Sequence, residues 1–329
     1  MTGSTPTEVQ PAHHKPVMVS EMLAGLLPQS NQNYVDATFG AGGYSRAILA
    51  AADGHVWGID RDPEALIRGR DLVAESAGRF DILPGAFGDM EDLLASIDVH
   101  QVDGVAFDLG VSSPQLDDAA RGFSFSADGP LDMRMANAGQ SAADFVNTAT
   151  EATLADVIHN YGEERFARRI ARTIVRERAH QPIERTKQLA ELVSNAVPST
   201  SARRQGIHPA TRTFQAVRIY INDELDELRR GLAAAERLLA AGGRLVVVAF
   251  HSLEDRIVKE FFRIRSGRMP GVARHRPERV MPAASFDLPF GRPRRPNDSE
   301  VNENPRARSA RLRAGVRTSA PAWQLEAGT

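Results

Sequence analysis

Cysteine is absent from this chain of 329 residues. Its absence excludes disulfide bonds, thiolate metal sites and every mechanism in which a cysteine is the nucleophile. The two histidines near the N-terminus, His13 and His14, are adjacent rather than spaced around one ion. We therefore expect no metal site.

Long apolar runs are also missing: no stretch approaches the roughly 20 consecutive apolar residues that a membrane span requires. The N-terminus lacks the basic start and apolar run of a secretory signal, which favours a cytoplasmic location without a membrane partner. Apolar residues make up 42% of the chain and charged residues 25%, as is ordinary for globular proteins. The length suffices for a main domain that carries an inserted second one.

A strong net charge is lacking as well, because the formal charge is −2. The charges are nevertheless unevenly distributed: residues 263–318 hold 14 arginines against five acidic residues. A basic tail on a mildly acidic body suggests a polyanionic partner. The alternative is a solvated, partly disordered tail.

Strand-like and helix-like segments alternate along the first third of the chain. The strand-like runs occupy 34–38, 55–60, 80–87 and 102–110, and the helix-like runs occupy 17–27, 44–52, 63–76 and 90–97. This alternation is typical of a parallel sheet covered by helices on both faces. The sequence therefore predicts an α/β, Rossmann-like fold.

The alternation stops after Asp108 and resumes with an apolar strand at 242–250. Helical patterns fill the interval and predict a small inserted helical domain: 154–162, 163–179 and 186–197. One further helix is predicted at 213–228, and a last strand at 310–318. The predicted division is a flexible lead (1–14), a Rossmann-like domain (15–115 and 216–318), an inserted helical substrate domain (116–215) and a flexible tail (319–329).

A glycine-rich turn follows the first strand. The strand ends in Asp36, and glycines stand at positions 40, 42 and 43, where a helix begins. Glycines at such a turn let a ligand approach the backbone. Their G-x-G-G spacing differs from the G-x-G-x-x-G of dinucleotide sites, which disfavours a dehydrogenase. The carboxylate of Asp36 suits a cofactor with a cationic amino group better than one with a pyrophosphate.

The next three strands also end in residues suited to ligand binding. Asp60 lies where an acid takes ribose hydroxyls in nucleotide folds; alternatively it is a helix cap, although Asp62 is the better cap candidate. Phe87 could cover an adenine face or belong to the core. Asp108 ends the fourth strand. Because these positions meet at the carboxyl edge of one sheet, the sequence predicts a single ligand crevice.

The run DLGVSSPQLD, at 108–117, resembles the bacterial 16S ribosomal RNA cytosine-N4-methyltransferases of the decoding region. The resemblance extends from about His14 to Arg317. It includes RGFSF (121–125), GPLDMRM (129–135), YGEERFARRIA (161–171), HPATRTFQAVRI (208–219), FHSLEDRIVK (250–259) and NPRARSA (304–310). The resemblance implies a class I methyltransferase sheet, S-adenosylmethionine as cofactor and 16S rRNA of the small ribosomal subunit as partner.

By this resemblance, the cofactor contacts carry over to Gly42, Gly43, Tyr44, Asp60, Phe87, Asp108 and Gln115. Family members often have histidine where this chain has Tyr44, so the resemblance implies the backbone contact there and not the side-chain contact. Nothing is carried over from the arginine-rich stretch at 266–296. A homodimer is left open.

The absence of cysteine narrows the range of methylation reactions that the chain could catalyse. Methylation of a pyrimidine at C5 ordinarily begins with covalent attack of a cysteine at C6, so C5 chemistry is disfavoured. Transfer to an exocyclic amine needs in-line positioning and an acceptor that draws off charge. The loop after the fourth strand supplies candidate catalytic residues in Asp108, Ser112 and Ser113. Asp108 is the preferred acceptor, and binding of the cofactor's methionine end is its alternative role.

A flipped target base must also be stacked. Nucleic-acid amino-methyltransferases commonly carry an aromatic residue in the fourth-strand loop, and this chain lacks it, so the base would stack elsewhere. Phe123 and Phe125 are the candidates. The alternative is that both anchor the inserted domain.

An arginine-rich face is predicted on the helix at 163–179. It lies within an arc of about 100° at helical pitch and comprises Arg165, Arg168, Arg169, Arg172 and Arg176. Such a face can track RNA phosphates, or it can be solvated and paired with nearby glutamates. A second basic cluster precedes the next helix, at Arg203, Arg204, His208 and Arg212.

Two other functions compete with RNA methylation. A small-molecule methyltransferase would share the cofactor half, but the arginine-bearing insertion and the basic tail argue against it. A catalytically silent RNA-binding or assembly protein would have no need of the complete crevice. The sequence therefore favours an enzyme that methylates RNA.

Overall fold

The computed structural model describes residues 16–198, 208–268 and 282–323. Within these ranges the strands are β1 (Asn33–Asp36), β2 (His55–Asp60), β3 (Phe80–Pro84), β4 (Val102–Asp108), β5 (Leu239–Ala249), β6 (Phe286–Asp287) and β7 (Arg311–Arg317). They form one sheet in the order β3-β2-β1-β4-β5-β7-β6. The first five strands are parallel, whereas β7 pairs antiparallel with β5 and β6.

Helices flank the sheet and fill the interval between β4 and β5. The α-helices are α1 (Val19–Leu26), α2 (Gly43–Ala51), α3 (Pro63–Glu75), α4 (Met90–Ala95), α5 (Ser113–Asp117), α6 (Ala142–Thr148), α7 (Glu151–Gly162), α8 (Ala167–Arg178), α9 (Thr186–Ala196), α10 (Thr211–Ile221), α11 (Glu224–Leu238), α12 (Ser252–Arg265) and α13 (Asp298–Glu303). In the described part of the chain, none has the length and apolarity needed to cross a membrane.

Local sequence explains where these elements begin and why the strands are apolar. Asp62 caps α3 by accepting a hydrogen bond of 3.0 Å from Glu64 N, and Pro63 occupies the first helical turn. In β4, the neighbouring residues Ala106 and Phe107 point to opposite faces of the sheet, and both are fully buried. A strand buried on both faces has the continuous apolar run that the sequence shows.

Helices cover both faces of the sheet. On one face α4, α11 and α12 pack over Phe107 and Val247. On the other face α1, α2 and α3 pack over Tyr34 and Val246. Helices thus cover both faces of a mostly parallel sheet, so the predicted α/β, Rossmann-like fold is confirmed. The predicted last strand is confirmed as well, as β7.

The helices between β4 and β5 form an apolar cluster of their own. Helices α6 to α10 contribute Phe145, Leu154, Ile170, Val193 and Phe214 to it, and all five side chains are buried. The interval that broke the strand–helix alternation therefore folds around a core separate from the two sheet faces.

The single helix predicted at 213–228 is wrong, because the chain forms α10 and α11 with a break at Asn222. The side-chain amide of Asn222 accepts from Met135 N and donates to Met133 O, each at 2.8 Å. These bonds hold the backbone at Asn222 in a position that interrupts a continuous helix. The following residue, Asp223, has a φ of +52° and precedes α11.

The domain division stays a prediction, but the packing favours a later second boundary. Residue 215 lies inside α10, whose side chains Phe214 and Val217 are buried in the helical cluster. The break at Asn222 lies between that cluster and α11, which packs on the sheet. We therefore place the end of the insertion near Asn222.

Two further elements differ from expectation. Helix α8 begins at Ala167, not at residue 163, because Glu163 has a φ of +49° and ends α7. The Glu164 carboxylate then accepts a hydrogen bond of 2.9 Å from Phe166 N, ahead of α8. Strand β6 lies in the Pro- and Arg-rich stretch, where no strand was predicted; two residues are too few to show a period.

Candidate active site

A cavity of about 310 Å³ opens at the carboxyl ends of the parallel strands. Its wall includes residues that follow β1, β2, β3, β4 and β5, together with parts of α10 and α11. The crevice lies beside the junction of β1 and β4, where the strand order reverses and open α/β sheets bind their ligands. The single crevice predicted from the strand ends is present.

The glycine turn after β1 is shaped by close backbone contacts. Gly40 and Gly42 have φ values of +53° and +78°, which favour glycine. A Cβ atom on Gly43 would lie 2.6 Å from the Pro16 ring, so that position is restricted by packing. Gly43 lines the cavity, whereas Gly42 sets the turn that starts α2.

Asp36 lies beneath this turn and does not reach the described cavity wall. Its Oδ2 atom accepts hydrogen bonds from Ser45 N at 3.0 Å and Ser45 Oγ at 2.7 Å. Burial raises the pKa of Asp36 to about 6, against the lowering effect of these bonds. The expectation that this carboxylate meets a cationic group of the cofactor is therefore not supported: it fixes the start of α2.

Tyr44 is buried, and its hydroxyl donates a hydrogen bond of 2.7 Å to Val17 O. Although Tyr44 lines the cavity, this bond commits its polar atom to the segment before α1. Burial, followed by the charge of Asp108, raises the pKa of Tyr44 well above its usual value. The Tyr44 hydroxyl is therefore engaged within the protein, and a cofactor contact through the backbone stays a prediction.

Asp60 accepts hydrogen bonds from two backbone N–H groups and also lines the cavity. Its Oδ2 atom accepts a hydrogen bond of 2.7 Å from Gly40 N, and its Oδ1 atom accepts one of 2.8 Å from Asp62 N. Burial raises the pKa of Asp60, while these two bonds lower it. Asp62 is the helix cap, as expected, which leaves Asp60 available to a ligand.

Phe87 packs against the core and also borders the cavity. Its ring packs edge-on against Phe107, with centroids 5.4 Å apart, yet it also lines the cavity. A Cβ atom at Gly231 would come within 2.7 Å of the Phe87 ring, so α11 packs closely against this ring. The ring is thus a rigid wall for a planar group.

Asp108 carries the most unusual polar atom of the site. Its backbone N donates a hydrogen bond of 2.6 Å to Thr38 Oγ1, but its buried Oδ1 atom has no hydrogen-bond partner among the described residues. Burial, and then the negative charges of Asp36 and Glu254, raise the pKa of Asp108 well above its usual value. A raised pKa makes a carboxylate a stronger proton acceptor.

The loop after β4 places its three predicted site residues differently. Ser112 Oγ is buried and has no partner in the described chain. Ser113 Oγ accepts a hydrogen bond of 2.7 Å from Arg306 Nη1. Gln115 uses both ends of its amide internally: Oε1 accepts from Ser112 N at 2.9 Å, and Nε2 donates to Asp62 Oδ2 at 2.7 Å. Gln115 therefore fixes the loop at the cavity wall.

A second part of the wall was missed by the sequence analysis. It is contributed by α10, α11 and the segment after β5, and it comprises Gln215, Arg218, Glu224, Phe250, His251 and Glu254. The quoted motifs at 208–219 and 250–259 contain most of these residues, but they entered only as part of the resemblance. For Phe250, His251 and Glu254, the position after β5 was the local signal that could have assigned them to the crevice.

Buried charges in this second part neutralise one another. Arg218 donates two hydrogen bonds of 2.8 Å to the Glu224 carboxylate. His251 Nε2 lies 3.1 Å from Glu254 Oε1, and Glu254 Oε2 accepts a hydrogen bond of 2.8 Å from Phe250 N. Burial opposes the charge of Glu254, but His251, Arg218 and the Phe250 N–H outweigh it and lower the pKa of Glu254.

Ligand atoms of Glu224, His251 and Glu254 lie within 4.8 Å of one another, close enough to consider a cation. The two hydrogen bonds from Arg218 already occupy both oxygens of Glu224. A guanidinium in the same cluster repels a divalent cation. The arrangement fits a neutralised polar wall better than a metal centre.

Phe123 and Phe125 are held away from the cavity, whose described wall includes neither. Phe123 is buried in the helical cluster. The Phe125 ring packs against Phe214 and His208, with centroid distances of 4.8 and 4.6 Å. Both residues anchor the insertion, so the structure gives no support to stacking of the target base on them.

The predicted arginine arc is shortened by one residue. Arg165 precedes α8, and its guanidinium lies 4.9 Å from the centre of the Phe166 ring, so placing it on the helical arc is wrong. The α8 arginine face therefore consists of the exposed residues Arg168, Arg169, Arg172 and Arg176. Ile170 and Ile174 are buried on the other side of the helix.

The remaining predicted RNA-binding arginines are Arg203, Arg204 and Arg212. Arg212, on α10, is partly exposed and lies 3.9 Å from the Glu164 carboxylate. On the α8 arginine face, Arg172 has an exposed contact of 3.6 Å with Glu151, whereas the Glu164 carboxylate beside Arg212 is buried. Arg203 and Arg204 lie outside the described residues. An exposed pair such as Arg172–Glu151 is weak and can exchange for a phosphate contact.

Comparison with known proteins supplies the family. The model of the MraW methylase family matches residues 11–318. Proteins named ribosomal RNA small subunit methyltransferase H, from Paramagnetospirillum magneticum and Rhodospirillum rubrum, are each 56% identical over 96% of this chain, covering 99% and 97% of their own lengths. A solved putative rRNA methylase from Clostridium thermocellum is 12% identical, with a TM-score of 0.42 over 93% of this chain and 98% of that chain. The predicted family resemblance is confirmed, and the chain belongs to the MraW methylase family.

Proposed function

We propose that this protein transfers a methyl group from S-adenosylmethionine to N4 of a decoding-region cytosine in 16S rRNA of the small ribosomal subunit. Family membership and the names of the relatives support an RNA methyltransferase. The observation that carries the choice of an amine acceptor is Asp108, whose buried Oδ1 atom has no partner in the described chain beside the cavity.

The cavity fits the cofactor in three respects. The Gly40 turn lets a ligand approach the backbone, Asp60 offers a carboxylate for ribose hydroxyls, and Phe87 offers a flat wall for the adenine. S-adenosylmethionine would supply a methyl group on a sulfonium, which is a good leaving group. Gly43, Tyr44 and Gln115, which also line the cavity, would contact it through the backbone or shape the loops around it.

The residues of this chain then position the amine and remove its proton. Transfer would form a bond from the nitrogen to the methyl carbon as the carbon–sulfur bond breaks, and the electron pair of that bond would stay on sulfur. The nitrogen would release a proton to Asp108 Oδ1, and the raised pKa of Asp108 favours its taking up that proton. Ser112 Oγ offers a second polar atom near the loop, whereas Arg306 already occupies Ser113 Oγ.

RNA binding is assigned to the insertion. The α8 arginine face is exposed, while the opposite side of α8 is buried in the helical cluster, so the helix can present its cations without unfolding. Such a row of arginines neutralises successive phosphates. The insertion would thus hold the RNA while the sheet domain holds the cofactor. A cytoplasmic location and a homodimer stay predictions.

The proposal is tested with methyl-labelled S-adenosylmethionine and small ribosomal subunits that lack the modification. We expect label in 16S rRNA, little label in already modified subunits, and loss of most of it with Asp108→Asn. Label in a small-molecule extract but not in RNA would favour the small-molecule alternative. Tight RNA binding without any transfer would favour the assembly-protein alternative.

A further inference from the structure

The wall that α10, α11 and the segment after β5 contribute has an unused hydrogen-bond donor. His251 Nδ1 accepts a hydrogen bond of 3.4 Å from Glu254 N. Because a backbone N–H can only donate, Nδ1 acts as the acceptor and the ring proton of a neutral His251 sits on Nε2. His251 Nε2 is buried and makes no hydrogen bond to any residue that the structure describes.

The nearby carboxylate does not satisfy this N–H. Nε2 lies 3.1 Å from Glu254 Oε1, but this close contact lacks the alignment of a hydrogen bond. The backbone N–H groups of Phe250 and His251 donate to the other oxygen, Glu254 Oε2, at 2.8 and 3.2 Å. A buried donor left in this state is costly, so it marks a place where a ligand can bind.

An unused acceptor lies on the neighbouring strand end. Asp108 Oδ1 is also buried without a hydrogen-bond partner among the described residues, and it borders the same cavity. Asp108 pairs in register with Val248 on β5, three residues before His251. Asp108, His251 and Glu254 all line the same cavity, so the two strand ends face a common space.

We propose that His251 Nε2–H donates to ring atom N3 of the target cytosine while Asp108 Oδ1 accepts from its exocyclic amine. The proposal rests on the proposed function and specifies how the base is read. Cytosine presents this donor and acceptor side by side on one edge. Uracil presents the reverse pattern, an acceptor oxygen and an N–H, and would face both protein groups with like partners.

The neutralised cluster keeps this donor in place. Glu254 fixes His251 through its backbone N–H and its carboxylate, and Arg218 balances Glu224. His251 would touch the substrate directly, whereas Glu254, Glu224 and Arg218 would act through it as positioning residues. A base held by two buried hydrogen bonds needs no stacking on Phe123 or Phe125.

The test combines a base analogue with a variant. Small subunits are reconstituted with cytidine or 3-deazacytidine at the target position; the analogue keeps the amine but replaces N3 with C–H. The variants are His251→Asn, which keeps a good helix cap but shortens the side chain, and His159→Asn, a matched change at an exposed histidine on α7. For each protein, kcat/KM is measured with both RNAs.

Wild type and His159→Asn should favour cytidine by roughly 5- to 150-fold, the factor for a lost hydrogen bond that leaves a buried group unpaired. His251→Asn should lose a similar factor on cytidine, and its preference for cytidine over the analogue should be smaller than that of wild type by the same factor. Intrinsic differences in amine reactivity cancel in this comparison because they affect every protein alike. Equal discrimination by wild type and His251→Asn would overturn the proposal.

If His251→Asn does not fold, wild type alone decides. With S-adenosylhomocysteine present to prevent turnover, wild type should bind the cytidine RNA more tightly than the 3-deazacytidine RNA, and equal affinities would overturn the proposal. Failure of wild type to methylate cytosine N4 at all would instead reject the proposed function, so the two failures are distinguishable.

Discussion

Gly40 and Asp60 are joined by a hydrogen bond of 2.7 Å from the glycine N–H to the carboxylate, which ties the turn after β1 to the end of β2. The same carboxylate also accepts from Asp62 N at the start of α3. Asp60 thereby holds two loops of the crevice in a fixed relation before any ligand arrives. Preorganisation of this kind lowers the cost of binding.

Asp60→Ala should weaken the binding of S-adenosylmethionine by about 1–3 kcal/mol, the scale for a lost charge-assisted hydrogen bond. The fold should persist because the sheet core does not depend on this side chain. Isothermal calorimetry on the purified protein measures the change, with Asp71→Ala on the exposed side of α3 as the matched control. Unchanged affinity for Asp60→Ala would mean that the carboxylate serves the backbone alone.

Asp108→Asn separates the two roles considered for that residue. If Asp108 accepts the amine proton, kcat should fall by roughly 100-fold or more, with little change in cofactor affinity. If Asp108 binds the methionine end of the cofactor, calorimetry should show a matching loss of affinity instead. Single-turnover kinetics at saturating cofactor, together with that calorimetry, distinguishes the outcomes.

The carboxyl group of Asp36 should make the free energy of unfolding depend on pH. Its pKa is raised to about 6 in the folded protein, above the ordinary value of 3.8, so its contribution to stability is fully present below pH 3.8 and is lost as pH rises through 6. The shift corresponds to about 3 kcal/mol between pH 4 and pH 7. Asp36→Asn removes this titration.

Urea unfolding of wild type and Asp36→Asn at several pH values checks the prediction. The stability of the variant relative to wild type should rise with pH over that window. The exposed Asp71→Asn serves as control and should give a flat difference. A flat difference for Asp36→Asn as well would show that its carboxyl titrates normally.

The α8 arginine face can be tested through salt. Changing Arg168, Arg169 and Arg172 together to Gln should reduce RNA affinity and the magnitude of its salt dependence, since each phosphate contact contributes a slope of roughly 0.7 to 0.9. Gln keeps helix propensity, so α8 should stay folded. Cofactor affinity should not change.

The control for this variant replaces three exposed arginines of the sheet domain, Arg46, Arg70 and Arg229, with Gln. It removes the same charge from a surface outside the insertion. RNA titrations at several salt concentrations compare the three proteins. Parallel slopes and equal affinities for both triple variants would mean that the α8 arginine face is only solvated.

The cofactor half of the site could be predicted because its residues follow strand ends one after another. Asp60, Phe87 and Asp108 each stand where a short apolar run stops, and parallel strands bring such ends to one edge. The same logic predicted the sheet. No tertiary information was needed beyond the rule for strand direction.

The substrate half could not be predicted in this way. Arg218, Glu224 and His251 come from α10, α11 and the segment after β5, and only the return of the chain from the insertion brings them together. The roles of Phe123 and Phe125 depended on which neighbours bury them. The start of α8 was missed because the left-handed conformation of Glu163 leaves no mark in the hydrophobic period.

The central claim is transfer to the exocyclic amine of a cytosine, and the identity of the product tests it most directly. Unmodified small subunits are methylated by the wild-type protein, the 16S rRNA is digested to nucleosides, and the methylated cytidine is fragmented in a mass spectrometer against authentic standards. The account predicts N4-methylcytidine, in agreement with a chain that has no cysteine for the covalent route to C5. A product identified as C5-methylcytidine would contradict the account.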